Sequence, residues 1–216
     1  MPLNNKLIPL IKICGITQLE DALLAAKLGA NALGFIFAQN SPRVITVEIA
    51  KQVLAALPPF ITLVGVFADM PAHDIAAILN QVPLQVLQFH GDETEADCKQ
   101  YGKAYIKAFR IKPDCNINEL IDQYPTASAV LLDSYHPQLL GGTGLTFNWQ
   151  AIPANLTKPI ILAGGLTPTN AAQAIRQAKP YAIDVCSGVE LYPGKKDPTK
   201  LTAFFNEVKR VYHTEN

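Results

Sequence analysis

Apolar residues along this chain concentrate in short β-branched or apolar runs: Leu10–Cys14, Leu33–Phe37, Ile61–Phe67, Leu84–Phe89, Tyr105–Phe109, Ala129–Asp133, Pro159–Ala163 and Tyr181–Cys186. Each has the length of a strand buried on both faces, the kind a parallel sheet requires. The intervening segments carry helical signals instead. Thr17-Gln-Leu-Glu20 reads as a capping box, in which hydroxyl and carboxylate satisfy free backbone donors. Leu19, Ala22, Leu23 and Ala26 then form an apolar face at helical spacing that ends near Gly29. Thr167-Pro168 and Asp197-Pro198 each place a capping side chain before a proline suited to the first helical position. The alternation predicts eight strands and seven or eight helices.

Spacing turns this alternation into an architecture. Dividing 216 residues by eight units gives 27 per unit, and strand starts about 21 to 30 residues apart suit right-handed βα crossovers. No linker rich in Pro, Gly or Ser interrupts the series, so residues 1–216 read as a single-domain α/β protein, a (β/α)₈ TIM barrel. A doubly wound open sheet is the runner-up. It is disfavoured because neither G-x-G-x-x-G after the first strand nor a P-loop is present. The longest strand-to-strand intervals follow strands two and six, at Ala38-Gln-Asn-Ser-Pro-Arg43 and Gly141-Gly-Thr-Gly144. Extra length there enlarges the loops at the carboxyl mouth, where the active sites of barrels sit.

Composition narrows the partners. Lys plus Arg equals Asp plus Glu at 18 each, so no basic excess marks a nucleic-acid or membrane-surface protein, although a small anion site remains compatible. With 49% hydrophobic and 17% charged residues the chain can fill a core and does not resemble a disordered one. Cys14, Cys98, Cys115 and Cys186 are scattered without C-x-x-C or ligand-spaced His, which argues against a disulfide scaffold or a zinc module. The amino terminus lacks the uninterrupted apolar run of a signal peptide, and Val53–Ala68, broken by Pro58 and Pro59, is too short to span a membrane. A soluble cytoplasmic protein is expected.

Candidate chemistry lies at the strand ends. In Ile11-Lys12-Ile13-Cys14, alternation turns the isoleucines toward the helices and Lys12 and Cys14 toward the barrel axis. A thiol at the mouth near a following helix can serve as a base or nucleophile, whereas a buried Cys can equally be a small hydrophobe. In Val130-Leu-Leu-Asp133 the carboxylate closes an apolar strand, a place for a general acid or for a turn cap. The Gly-Gly of Ala163-Gly-Gly-Leu166 and the glycine of Cys186-Ser-Gly-Val189 follow the last two strands, the usual phosphate cradle of this fold. Arg43 offers a planar fork for a carboxylate, and His90, beside Gly91, can orient a substrate or satisfy a local hydrogen bond. Lys12 and Asp184 should both point inward on strands that become neighbours on closure. An ion pair between them is expected, because either charge alone would be costly to bury.

Lys12-Ile-Cys-Gly-Ile-Thr17, Gly34-Phe-Ile-Phe37 with Ser41-Pro-Arg43, Gln88-Phe-His-Gly91, Leu131-Leu-Asp133, Gly141-Gly-Thr-Gly144, Ala163-Gly-Gly-Leu166 and Ser187-Gly-Val-Glu190 occur in that order. Together they resemble the signature set of the phosphoribosylanthranilate isomerase family of tryptophan biosynthesis. The resemblance implies an Amadori rearrangement with Asp133 as general acid, Cys14 as general base and Arg43 near the anthranilate carboxylate. It implies substrate contacts from His90, Gly142, Gly144, Gly164, Gly165, Ser187 and Gly188. No metal or organic cofactor is implied. The expected partner is a small phosphorylated substrate, with no nucleic acid or membrane, for a monomer or homodimer. Phe89 and Cys186 depart from the family's more frequent Leu and Ser. Cys186 should adjoin Cys14, which makes oxidative pairing conceivable. The alternatives are another phosphate-binding barrel, of the indole-glycerol-phosphate synthase or tryptophan synthase α type, and a non-catalytic phosphate-ligand-binding barrel. The first would call for strand-end Lys or Glu in other contexts, and the second has no need of both Cys14 and Asp133.

Overall fold

Each apolar run forms a strand, trimmed or extended by a residue or two where the backbone leaves the sheet. The computed structural model describes residues 8–112, 115–134, 149–153 and 155–214. The strands are β1 (Leu10–Ile13), β2 (Ala32–Ile36), β3 (Thr62–Phe67), β4 (Val86–Phe89), β5 (Ala104–Ile111), β6 (Ala129–Ser134), β7 (Ile160–Leu162) and β8 (Ala182–Val185). All neighbours pair in parallel, and β8 pairs back onto β1 with Lys12 opposite Asp184 and Ile13 opposite Val185, closing the barrel. The helices around it are α1 (Leu19–Leu28), α2 (Val47–Ala56), α3 (Ala72–Leu79), α4 (Glu95–Lys99), α5 (Ile117–Asp122), α6 (Ala171–Ala178) and α7 (Pro198–Thr214). Between β6 and β7 the described residues contain only a 3₁₀ turn, Trp149–Ala151. Among the described residues no helix is long and apolar enough to cross a membrane.

Strand alternation divides the core in two. Val64, Ile106, Ala108, Ala129, Leu131, Ile161, Ala163 and Ala182 pack together inside the barrel. Their neighbours in sequence, including Ile11, Ile13, Leu33, Phe35, Leu87, Val130 and Ile183, belong to the larger layer between strands and helices. Small and branched side chains fill the interior because eight strands leave room for little more. Lys12 and Asp184 also lie inside, with the Lys12 Nζ 2.9 and 3.0 Å from the two carboxylate oxygens. Their side chains are only 4% and 7% exposed, so the expected ion pair is present and buried.

Helix ends follow the sequence signals in part. Gly29 closes α1 with φ 108°, and its N–H reaches the carbonyls of the last turn. Asp197 caps α7, accepting from the Thr199 and Lys200 N–H groups with Pro198 at the first helical position. The capping box at Thr17 does not form. α1 begins at Leu19 after Gln18, and the Thr17 hydroxyl instead donates to the Gly194 carbonyl. Thr167 does not cap α6 either, since that helix starts later, at Ala171, and the Asn170 Oδ1 accepts from the Thr167 N–H. A capping box does occur at α4, where Thr94 and Asp97 satisfy each other's backbone donors.

An antiparallel ribbon follows β8, made of β9 (Glu190–Tyr192) and β10 (Lys195–Lys196). Its turn uses Pro193 and Gly194, the latter at φ 85°, a conformation that glycine adopts without strain. The first turn of α1 holds the ribbon in place. Asp21 accepts from the Lys195 ammonium at 2.9 Å and from the Lys196 N–H at 2.7 Å, and Gln18 takes a second bond from Lys195. Thr17 is therefore committed to a tertiary contact that competes with capping.

The buried pair gives a stability test. Lys12→Met leaves Asp184 without its partner and should cost about 3 to 5 kcal/mol, whereas Lys12→Met with Asp184→Leu should cost clearly less. Urea unfolding of both variants measures this, and equal losses would show that the pair does not act as a unit.

Candidate active site

The carboxyl ends of the strands assemble titratable side chains contributed by β1, β4, β6 and β8 and the loops after them. Cys14 follows β1, and its N–H is bonded to the Val185 carbonyl at 2.9 Å, which fixes it beside the end of β8. It is buried, and the Lys12 ammonium lies one inward step below it. Gly34 on β2 makes this possible. A side chain there would collide with the Cys14 sulfur, 2.8 Å from the Cβ position, and with the Lys12 Nζ at 3.0 Å.

The surroundings of Cys14 favour its anion. A hydrogen bond from the Cys186 thiol holds the Cys14 thiol well below the ordinary cysteine range, helped by the charges of Lys12 and Lys196 against the cost of burial. The same contact, with burial, pushes the Cys186 thiol up. Burial opposes the Lys12 ammonium, but Asp184 and Cys14 outweigh it and raise its pKa. Burial also pushes Asp184 up to about 7, with a contribution from the Cys14 thiolate, against the pull of Lys12. Lys12 thus serves two anions.

Asp133 lies near the end of β6, two residues beyond the inward Leu131, and its charge is felt by Asp184 across the barrel. His90 follows β4 and brings Nε2 to 3.4 Å from the Asp133 Oδ2, with side chains 22% and 28% exposed. That approach has ion-pair distance but lacks hydrogen-bond alignment, since the buried Nε2 has no hydrogen-bond partner. One inward step below His90, the Oε1 of buried Gln88 is also without one. Cys14 and Asp133 thus each stand at the carboxyl end of a strand, with His90 beside the carboxyl.

Arg43 meets a carboxylate, but one belonging to the protein. Its Nε lies 2.9 and 3.0 Å from the Glu190 oxygens and its Nη2 lies 2.8 Å from Oε2, the planar fork geometry that arginine favours. Glu190, at 4% side-chain exposure, also accepts from the Lys196 ammonium at 3.0 Å and from the Gly194 N–H at 3.3 Å. These hydrogen bonds and cations hold Glu190 in its charged form against burial, and the Glu190 bond raises Arg43 further. Lys196 additionally donates to the Cys186 carbonyl at 3.1 Å. Glu190 and Lys196 were not among the expected site residues. The signals available were the carboxylate closing Ser187-Gly-Val-Glu190 and the Pro193-Gly194 turn that folds Lys196 back toward it.

The glycine loops interlock. Gly164 and Gly165 take φ 81° and 63°, and the Asn170 amide donates to the Gly165 carbonyl at 2.9 Å. Ser187 and Gly188 form a 3₁₀ turn with Val189 directly after β8. A Cβ on Gly188 would fall inside the van der Waals radius of the Leu166 carbonyl oxygen, so the backbones of the two loops touch. Gly142 and Gly144 lie outside the described residues.

Such a mouth can take a proton at one side through a thiolate, give one at the other through a carboxyl, and offer close backbone approach in between. Comparisons with known proteins give the chain its relatives. The family model for N-(5'-phosphoribosyl)anthranilate (PRA) isomerase matches residues 11–207. The N-(5'-phosphoribosyl)anthranilate isomerase of Pseudomonas fluorescens (strain Pf0-1) is 53% identical over 198 residues, covering 92% of this chain and 97% of that protein. The crystal structure of phosphoribosyl anthranilate isomerase from Thermotoga maritima superposes with a TM-score of 0.86 at 35% identity, covering 94% of this chain and 99% of that one. A second crystal structure, of the isomerase in complex with reduced 1-(o-carboxyphenylamino)-1-deoxyribulose 5-phosphate, gives 0.82 at 34% identity with the same coverage.

Contact between the glycine loops is testable by stability alone. Gly188→Ala should destabilise the protein by about 1 to 3 kcal/mol, as overpacking against backbone does. An unchanged urea midpoint would show that the loops part without cost.

Proposed function

The chain belongs to the N-(5'-phosphoribosyl)anthranilate isomerase family, and from that premise we propose that Cys14 and Asp133 are the base and the acid of its reaction. The enzyme isomerises N-(5'-phosphoribosyl)anthranilate in tryptophan biosynthesis. The observation that carries the residue assignment is the contrast at the barrel mouth. A thiol held as its anion by Cys186 and Lys12 closes β1, and a partly exposed carboxyl beside His90 lies at the end of β6.

In this reading the Asp133 carboxyl gives its proton to the furanose ring oxygen. The bond from that oxygen to C1 breaks, and the anthranilate nitrogen supplies the electron pair that forms the C1 iminium. The iminium acidifies the C2 hydrogen, and the Cys14 thiolate removes it, so the C2–H electrons neutralise the nitrogen and leave an enolamine. Tautomerisation to the ketone adds a proton at C1 and releases one from the 2-hydroxyl. That exchange restores, in sum, the proton lost by Asp133 and the one gained by Cys14. Only a moderate base is required once the iminium exists, and a stabilised thiolate is one.

Positioning falls to the remaining residues. Glu190 holds Nε and Nη2 of Arg43, so Nη1 is the nitrogen that, among the described residues, is left to meet the anthranilate carboxylate. Gly164, Gly165, Ser187 and Gly188 form the phosphate end, where interlocked backbones let N–H groups approach an anion closely. His90 stands beside the acid, with Nε2 3.4 Å from the Asp133 Oδ2. The phosphorylated substrate thus spans the mouth from Arg43 to the glycine loops.

Two measurements test the assignment. Asp133→Asn and Cys14→Ala should each lower kcat by about 10²- to 10⁴-fold with little change in binding of a product analogue. Loss of substrate fluorescence on rearrangement reports the rate, and unchanged turnover in either variant removes that residue from the mechanism. Cys186→Ala, which deletes the bond that stabilises the thiolate, should raise the pKa of Cys14. The acid limb of the kcat/KM profile then moves to higher pH, because the base stays protonated further up the scale. A stationary limb would mean that Cys186 does not tune the base.

A further inference from the structure

Two thiols at one mouth invite a chemistry besides proton transfer. Cys14 and Cys186 continue the β1 and β8 strands from the paired residues Ile13 and Val185, so they stand side by side across the seam that closes the barrel. Adjacent strands lie about 4.8 Å apart, inside the roughly 4.4 to 6.8 Å between Cα atoms that a disulfide spans. Both follow inward-facing residues, Lys12 and Asp184, by two positions, so alternation sends both side chains into the mouth. The Cys186 sulfur lies 2.9 Å from the Cβ position of Gly15, the residue that follows Cys14, and both cysteines are unpaired in the structure. The other cysteines are elsewhere. Cys98 is buried on α4 and Cys115 lies just before α5.

We propose that Cys14 and Cys186 form a reversible modification site, in which a hydroperoxide oxidises them to a disulfide and switches the isomerase off. The proposal rests on Cys14 being the catalytic base. The Cys14 thiolate attacks one oxygen of hydrogen peroxide, forming an S–O bond as the O–O bond breaks, and the departing hydroxide takes a proton to become water. Sulfur is oxidised by two electrons and the peroxide is reduced by the same two. Cys186 then loses its proton and attacks the Cys14 sulfur, so that the S–S bond forms, the S–O bond breaks and the oxygen leaves as water. The Glu190 Oε1, 3.9 Å from the Cys186 sulfur, relays that proton to the departing hydroxide, which leaves as the water. The Lys196 ammonium, also 3.9 Å away, favours the attacking thiolate. A dithiol reductant reverses the bond by exchange.

Cys186 thereby acts as a resolving residue. A sulfenic acid without a nearby thiol is open to further, irreversible oxidation, and one beside a thiol is trapped as a disulfide. The same seam that favours the anion of the base, the form that attacks a peroxide, places its protector next to it.

Purified protein treated with hydrogen peroxide, digested without reduction and mapped by mass spectrometry tests this. The expected result is a linked pair of peptides carrying Cys14 and Cys186, lighter than the sum by one pair of hydrogens, with activity down by more than about tenfold and recovered with dithiothreitol. The Cys98→Ser/Cys115→Ser double variant should respond as the parent does. Cys186→Ser, compared with its own untreated activity, should lose activity that dithiothreitol does not restore. Absence of the linked pair, or recovery in Cys186→Ser as complete as in the parent, overturns the proposal. If the pair forms while activity persists, the switch fails because Cys14 is not the base. If it does not form while Cys14→Ala is inactive, the assignment of the base stands and the modification site falls.

Discussion

Lys12 is the cation on which both the barrel and its chemistry depend. It sits inside a ring of parallel strands with Asp184 at 2.9 Å on the neighbouring β8, and the pair lies at the seam where the last strand returns to the first. A buried pair is weak evidence for stability as such, because desolvating two charges costs much of what their attraction returns. Its value here is in register. Slipping β8 against β1 by one residue would turn Asp184 outward and leave a lone ammonium in an apolar barrel, a penalty that apolar side chains cannot impose. One step nearer the mouth, the same ammonium faces Cys14 and favours its anion. The interaction that specifies closure also favours the anion of the residue proposed as the base.

Glu190 performs the corresponding task for the outer shell of the site. One carboxylate receives Arg43 through two nitrogens, the Lys196 ammonium and the Gly194 N–H. These groups come from the loop after β2, from the ribbon after β8 and from that ribbon's turn, so a local hairpin supplies two of them and a distant loop the third. The ribbon is in turn tied to the first turn of α1 by Thr17, Gln18 and Asp21. The first and last units of the chain are thus joined twice, within the barrel by Lys12 and Asp184 and above it through the ribbon. Cys14 and Cys186 lie between those two joints, which explains how two cysteines are kept side by side at a barrel mouth.

Much of this was legible in the chain because it follows from short-range rules. The eight apolar runs, their spacing and their inward and outward alternation anticipate the barrel, the inward Lys12 and Asp184, and the placement of Cys14 and Asp133 at strand ends. What escaped follows from long-range competition. Thr17 has every local qualification of a cap, yet a distant carbonyl, that of Gly194, takes its hydroxyl. Arg43 reads as a fork awaiting a carboxylate and finds one 147 residues along the chain. Lys196 is a charged side chain that is fully buried; its compensating acid, Glu190, stands six residues back across the Pro193-Gly194 turn, but the burial of both depends on Arg43 from a distant loop. Periodicity locates the faces of elements, but it does not say which polar groups from separate elements will share a partner.

The balance of charge at the mouth bears on how an anionic substrate is held there. Among the described residues around Cys14 and Glu190, the cations Lys12, Lys196 and Arg43 are each already engaged with Asp184, Glu190 or Cys14. The cluster therefore offers no surplus positive charge to a phosphate, in keeping with a chain whose acidic and basic residues are equal in number. In the proposed reading attraction comes from groups that formal charge does not count, namely backbone N–H dipoles where the loops after β7 and β8 touch, and from the remaining edge of Arg43. Dipoles fixed by backbone contact cost no reorganisation when the substrate arrives. They also leave the thiolate undisturbed, since a free lysine placed to meet the phosphate would compete for the same anions that keep Lys12 and Lys196 in position. A neutral site with rigid loops thus lets one small mouth hold two negative groups of the substrate and still keep a base ionised beside them.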